Sequence, residues 1–496
     1  MTPPQRPTSP APGSRLVPAL LALACTTCGL DTYGPCNDGA VASFELCDDG
    51  NNDPYDGCTL VCTPTRAVGV SVGSFGYQTC AILPGGQARC WGENTDGQLG
   101  YAPGGQVGIP PNGEPGDAAL PTDKPLISSP GGGAFTALEA GTHQACALTE
   151  EGAVFCWGAH TERTTAGAAC PPPDSCALEG DHRLFGSLGM TDVVPLSGGA
   201  VTQLSVGSYH RCAITADRNV SCWGGNPHGV LGLGHQLCVG PCASDIAQVA
   251  LGEASGKVTR IAAGVLHTCI VFDAAEDNVM CWGYGGNARL GYGVAQNVGD
   301  GTGLSPADRG PVHFGGRAID ISVGEGFTCI LLDNKAVRCW GKNEFGQLGQ
   351  GDRDPRGTPE KPTDTIPDID LGAKVKQIDC GYEHVCALTE DQTVRCWGRG
   401  DRGQLGYGNT DNVGDFMDNL PRDAGDVDLG GHAVLALAVG KVHTCVLLDT
   451  TEIRCWGVAE RGQLGQGNNN IIGDDETPAD APNVPFYPPD NEASEQ

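Results

Sequence analysis

Basic residues are scarce in this chain. Lysine and arginine total 29 against 59 aspartates and glutamates, a formal net charge of −30. Binding to nucleic acid is excluded on that balance, because neutralising phosphates needs a basic face, whereas a strong negative charge keeps an exported protein soluble. Long apolar runs are missing as well: beyond a short one near the N-terminus, none approaches the ~20 residues that span a bilayer. No stretch sustains the apolar period of a long helix. No Cys-x-x-Cys pair stands with histidines at finger spacing, which argues against zinc as the reason for 25 cysteines. Tryptophan is rare, with only seven, and its placement is the most informative feature present.

Every tryptophan lies in a Cys-Trp-Gly tripeptide, at Cys90, Cys156, Cys222, Cys281, Cys339, Cys396 and Cys455. The steps between them are 66, 66, 59, 58, 57 and 59 residues, a period that suits one four-stranded unit unable to bury its apolar face alone. A second cysteine precedes each by 10 residues, or 12 in the fourth copy. The pairs are Cys80/Cys90, Cys146/Cys156, Cys212/Cys222, Cys269/Cys281, Cys329/Cys339, Cys386/Cys396 and Cys445/Cys455. Facing each other across a hairpin, the second pair leaves Glu150-Glu151-Gly152 as a three-residue loop with glycine third, where a left-handed backbone is needed. Directly opposed antiparallel residues have Cα atoms about 4.5 Å apart, within disulfide range.

A short apolar strand ending in glycine precedes each first cysteine, as in Ile261-Ala262-Ala263-Gly264. A variant of Gly-Gln-Leu-Gly follows each Trp-Gly, clearest at Gly97 to Gly100, Gly346 to Gly349, Gly403 to Gly406 and Gly462 to Gly465. Short β-runs bounded by Gly and Pro predict an all-β radial array of seven blades.

The string Gly-x-x-His-Thr-Cys-x-x-Leu, then Val-x-Cys-Trp-Gly-x-x-x-x-Gly-Gln-Leu-Gly, resembles the regulator-of-chromosome-condensation repeat in its cysteine-bearing, secreted bacterial form, over about residues 67 to 486. The resemblance implies a seven-bladed β-propeller. Its ring is expected to close by pairing the run near Val484 and Phe486 with the strand at Val68 to Val72. Nuclear relatives exchange nucleotide on a small GTPase and bind chromatin; the charge of this chain and its expected export argue against both roles.

Residues 1 to 24 read as a signal peptide, with Arg6 and Arg15 ahead of the apolar run Leu16 to Ala24. Cys25 follows directly, so bacterial lipoprotein processing there and simple secretion are both open, and a lipid on Cys25 is the only membrane contact expected. Residues 25 to 66 form a small disulfide-rich module and linker, with Cys36, Cys47, Cys58 and Cys62. It resembles the short cysteine-rich repeat of myxobacterial surface proteins. Four cysteines allow three connectivities. Asp49, Asn51 and Asp53 begin like a calcium loop, but Pro54 and Leu60 stand where glycine and glutamate are needed, so no metal is expected. Residues 487 to 496 are taken as a disordered tail.

Cys170/Cys176 and Cys238/Cys242 make two further local pairs, which leaves Cys25, Cys28 and Cys380. The last stands where other copies have Ala or Val, as expected of a buried free thiol. Gly69-Val70-Ser71-Val72-Gly73 matches a nucleophile-elbow pattern, but it aligns with Ser205-Val206-Gly207 and Ser322-Val323-Gly324, so it is a blade strand rather than a strand-to-helix elbow. His210, His267, His384 and His443 recur once per blade, with Gln78, Gln144 and Phe327 in the other copies, and are taken as scaffold, as are the tryptophans. The second copy separates Trp157 from Gly186 by 28 residues where the first has five; such insertions are either recognition loops or tolerated decoration.

A non-enzymatic, monomeric interaction protein is expected, exported to the cell envelope or beyond and recognising a protein or glycan without cofactor or catalytic residues. Secreted propellers of this repeat family that inhibit β-lactamases show what the resemblance permits. The competing readings are a structural envelope protein and an enzyme working at the central channel. Polar, non-repeating side chains converging on the inner strands, or acids with shifted pKa values there, would favour the enzyme; the inner strands instead look like repeated Ala, Val and Gly.

Overall fold

Each repeat opens with a strand that buries alternate residues, as Phe135, Leu138 and Ala140 do in Phe135–Ala140, followed by one buried at every position, as in Gln144–Thr149. Period-two burial places one face of the first strand against neighbours and turns the other inward. A strand buried on both faces must be sandwiched between blades. The computed structural model describes residues 67–101, 106–107, 126–129, 132–158, 194, 196–239 and 246–485. Seven antiparallel sheets follow one another in chain order.

The inner strands are Gly69–Val72, Phe135–Ala140, Val201–Val206, Val258–Ala263, Ala318–Val323, Val375–Cys380 and Val434–Val439. The middle strands are Gln78–Ile82, Gln144–Thr149, His210–Thr215, His267–Phe272, Phe327–Leu332, His384–Thr389 and His443–Leu448. The outer ones are Ala88–Glu93, Val154–Gly158, Val220–Gly224, Val279–Gly283, Val337–Gly341, Val394–Gly398 and Ile453–Gly457. Among the described residues a fourth regular strand, expected from the repeat length, forms only as Gln106–Val107 in blade 1. In blades 3 to 7 it shrinks to one bridge, such as Gly398 to Val413. The intervening segment, Gly408-Asn409-Thr410-Asp411-Asn412 in blade 6, is rich in residues that favour turns over ladders. A second stitch compensates: the backbone N–H of Val427 donates to Val394 O at 2.8 Å, repeated at the matching position of every blade.

That stitch corrects the expected closure. Val484 N–H donates to Ile453 O within blade 7, while Val68 N–H donates to Ile82 O within blade 1, so every blade takes its strands from its own repeat; Phe486 lies outside the described residues. The ends meet instead through Ala67 N–H to Thr451 O at 3.2 Å and Trp91 Nε1–H to Gln463 O at 3.0 Å.

The tryptophan contact recurs at five more junctions between blades. All seven indoles are at most 1% exposed, and Trp157, Trp282, Trp340, Trp397 and Trp456 donate to Gln98 O, Val230 O, Arg289 O, Gln347 O and Gln404 O of the preceding blade. The acceptor is always the second residue of the Gly-Gln-Leu-Gly segment. Its last glycine cannot be replaced, because a Cβ on Gly406 would lie 2.7 Å from Trp456 Nε1. Gln404 O also accepts from Thr444 Oγ1, whereas Trp397 Nε1 is the one side-chain donor recorded on Gln347 O. Trp397→Phe should therefore cost about 1–2 kcal/mol more than Trp456→Phe, since only the former leaves a buried carbonyl without a side-chain donor. Guanidinium titrations of the two variants check this, and equal losses would count against it.

Candidate functional site

The recurring histidines are scaffold, and their environment explains why. His210, His267, His384 and His443 are buried, and each Nε2 lies 2.7 to 3.2 Å from a threonine Oγ1 of the next blade: Thr268, Thr328, Thr444 and Thr79. Each threonine hydroxyl donates to the carbonyl that holds the neighbouring tryptophan, so the histidine must be the donor to the threonine oxygen. Burial lowers the pKa to about 3 at His210, His384 and His443, and well down at His267. Among the described residues the one group of three potential metal ligands close together is Asp474, Asp475 and Glu476, and no histidine belongs to it.

The seven hairpin cystines are formed, with opposed Cα atoms 4.0 to 4.1 Å apart. Gly152 takes φ 79° in its loop as the hairpin requires; Thr451 takes 66° at the same place in blade 7. Cys380 is a buried free thiol, and burial drives its pKa upward. Cys238 is buried and disulfide-bonded. Cys25, Cys28, Cys36, Cys47, Cys58, Cys62, Cys170, Cys176 and Cys242 lie outside the described residues.

The inner strands do not match the expectation of repeated Ala, Val and Gly. Inward positions alternate, so they form two tiers around a central cavity of about 280 Å³. The first tier includes Gln203, Arg260, Asp320 and Gln377. The second holds Ser71, Glu139, Ser205, Ala262, Ser322, Asp379 and Ala438. Asp379 accepts from Val439 N–H at 2.8 Å, Cys380 N–H at 3.0 Å and Ser322 Oγ at 3.2 Å. Enclosure raises Glu139 to about 8, with Asp379 adding to the rise, and raises Asp379 to about 7 against the pull of its donors. The expectation failed because the recurring Ala and Val, as at Ala140, Val206, Val323 and Val439, occupy the buried last position of each strand, whereas the inward register one residue earlier carries only Ser or Ala in five copies. Aligning the seven copies position by position would have exposed Glu139 and Asp379 as departures at one register.

A second concentration of chemistry surrounds the channel on the face formed by the turns between inner and middle strands. Lys342 Nζ lies 2.8 Å from Glu383 and 3.1 Å from Glu325. Arg399 pairs with Glu383 and Asp401, each at 2.7 Å, and stacks 4.7 Å from the Phe345 ring centre. Lys441 lies over both Tyr77 and Tyr382, at 4.8 and 5.3 Å, and Arg461 pairs with Glu93. The belt runs from blade 5 through blades 6 and 7 to blade 1, and Gly158, where the second-copy insertion begins, pairs with Gln144 at the same end of its sheet.

The fold and these two features define a disulfide-stapled, seven-bladed β-propeller with a polar channel and a charged, aromatic turn face. The chain carries repeats of the regulator of chromosome condensation (RCC1) family, at residues 201–230, 318–347 and 375–404 by one description of the repeat and 337–388 and 393–447 by another. Residues 22–63 match a domain of unknown function (DUF4215). The ultraviolet-B receptor UVR8 of Arabidopsis thaliana is 25% identical over 414 residues, 82% of this chain and 80% of the receptor. The E3 ubiquitin-protein ligase HERC2 of Homo sapiens is 29% identical over 285 residues, 56% of this chain but only 5% of the ligase. Among solved structures, yeast RCC1 (Prp20) bound to Kap60 aligns with TM-score 0.55 at 18% identity, covering 76% of this chain and 78% of that one. Human WBSCR16 aligns with TM-score 0.54 at 20% identity, covering 77% and 87%. These structures establish the fold alone.

Proposed function

We propose that this chain is an exported, non-enzymatic interaction protein that recognises an envelope or extracellular protein, or a glycan, through the turn face. One observation carries the reading. Arginine, lysine and tyrosine, scarce in the sequence, are gathered there and pre-ordered by carboxylates and aromatic rings, and Tyr and Arg are the side chains that dominate protein interfaces. Pre-ordering lowers the entropic cost of binding. Repeat-family relatives support a scaffold role, since solved structures show yeast RCC1 bound to Kap60. Export is supported by seven hairpin cystines of a kind that persists in oxidising compartments, and by the leader and Cys25, which would secrete or lipidate the chain.

The competing enzyme reading gains from the channel acids, which meet the condition set by the sequence. Two features keep it second. Both carboxyls are displaced in one direction by one enclosure, whereas an acid–base pair needs its members pushed apart, and no histidine lines the channel to activate Ser71, Ser205 or Ser322.

The triple variant Lys342→Ala/Arg399→Ala/Arg461→Ala should lose at least about tenfold in affinity for a partner captured from envelope or culture fluid by residues 29–496. A version lacking His160 to Leu184 tests the insertion beside it. Undiminished capture by the triple variant would remove the turn face from the site, and capture lost only by the deletion would move the site to the insertion.

A further inference from the structure

We propose that the central channel is a binding site for a small organic cation, an alkylammonium compound that enters past Arg260 and Asp320 and lodges between Glu139 and Asp379. The channel is built as a pocket rather than a bore. Phe75, at 2% exposure, floors it beneath the turns, and the Arg260 side chain, 49% exposed, marks the open end. Its volume sits near the lower limit, roughly 300 Å³, of small-molecule sites.

The charge inside is unbalanced. The titratable groups of the seven inner strands that line the cavity are Glu139, Asp320 and Asp379, and Arg260 stands at the register of Asp320 on the neighbouring strand. Arg260 Nε lies 3.6 Å from Asp320 Oδ1 at the entrance, which leaves the two deeper carboxyls with no cation. Asp379 is fixed by three donors, as described above. Glu139 lines the cavity, half-buried, yet it has no hydrogen bond or ion pair with any described residue. A carboxylate so placed is costly unless a donor reaches it. Ammonium groups supply both the missing charge and the missing N–H donors, and the hydroxyl oxygens of Ser71 and Ser205 lie in the same tier. An inorganic divalent ion fits less well, because the channel carboxylates do not come together with a third ligand as a metal site requires.

The test is calorimetric titration of the full oxidised chain with 1,4-diaminobutane at pH 7 and 150 mM salt, beside 1,4-butanediol and calcium chloride. Saturable binding of one diamine, with no heat from the diol and none from calcium, is expected. Binding should release protons, so the apparent enthalpy should change between buffers of different ionisation enthalpy, because the raised carboxyls must ionise to pair with ammonium. Glu139→Gln and Asp379→Asn should each weaken binding by about ten- to a hundredfold. Glu139→Gln should melt no lower than the parent, since it removes a carboxyl that has no donor, whereas Asp379→Asn gives up an acceptor of Val439 N–H or of Cys380 N–H and is compared by affinity alone. Absence of saturable heat, equal binding of calcium or the diol, or diamine affinity unchanged in both variants would overturn the proposal.

Discussion

Full reduction of the seven hairpin cystines should unfold this propeller under otherwise native conditions. Each bridge closes a loop of 10 or 12 residues, which limits the unfolded chain by about 2–3 kcal/mol. Seven such terms sum to roughly 15–20 kcal/mol, above the 5–15 kcal/mol that typical folded domains possess. All the hairpin cysteines but the half-buried Cys156 are fully buried, so the experiment reduces the protein in guanidinium and returns it to buffer with reductant maintained. The tryptophans report directly, because each follows the second cysteine of its hairpin and is at most 1% exposed. A red-shifted emission and a lost cooperative transition are expected. A reduced protein with its thiols verified by counting, native emission and an unchanged guanidinium midpoint would show that inter-blade packing alone carries the fold. Removing one bridge by Cys386→Ala/Cys396→Ala should cost only about 2–3 kcal/mol and leave the ring closed.

The blades and their staples were legible in the sequence because each rests on local spacing: a cysteine pair across a short hairpin fixes register without knowledge of any distant residue. Contacts between blades are not local, yet one left a trace. His210, His267, His384 and His443 precede blades that present Thr268, Thr328, Thr444 and Thr79. Gln78, Gln144 and Phe327 precede blades that present Ala145, Arg211 and Val385 at that position instead. Where the threonine is missing, Gln78 reaches Gly141 O at 2.6 Å and Gln144 reaches Gly207 O at 3.2 Å. What looked like drift in one position of the repeat is a matched exchange between neighbours. The glycine closing the inner strand is non-local in five blades: a Cβ on Gly207, for example, would lie 2.3 Å from Gly264 O in the next blade. The channel acids stayed hidden for a related reason. Glu139 and Asp379 are three blades apart around the ring, and only closure brings them to one cavity.

Acid should destabilise the ring well above the pH at which surface carboxylates titrate. The four buried histidines have folded-state pKa values held far below the ordinary value, at about 3 for three of them. Above about pH 6.5 both states are neutral at these sites and their contribution is present in full. As pH falls below 6.5 the unfolded chain takes up protons that the folded chain refuses, and stability drops by about 1.4 kcal/mol per unit for each histidine. Glu139 and Asp379 act in the opposite sense, because their raised values let the folded chain bind protons between about 8 and the ordinary carboxylate range. Four histidines against these two carboxyls leave a net loss of roughly 2–3 kcal/mol per unit between pH 6 and 5. Guanidinium midpoints at pH 7, 6 and 5 measure it. His443→Gln should remove about one quarter of the histidine contribution, since glutamine already serves at this position in blades 1 and 2. If the midpoint is level from pH 7 to 5, or the variant is as acid-sensitive as the parent, the histidines are not the neutral, buried links between blades that their bonds to threonine require.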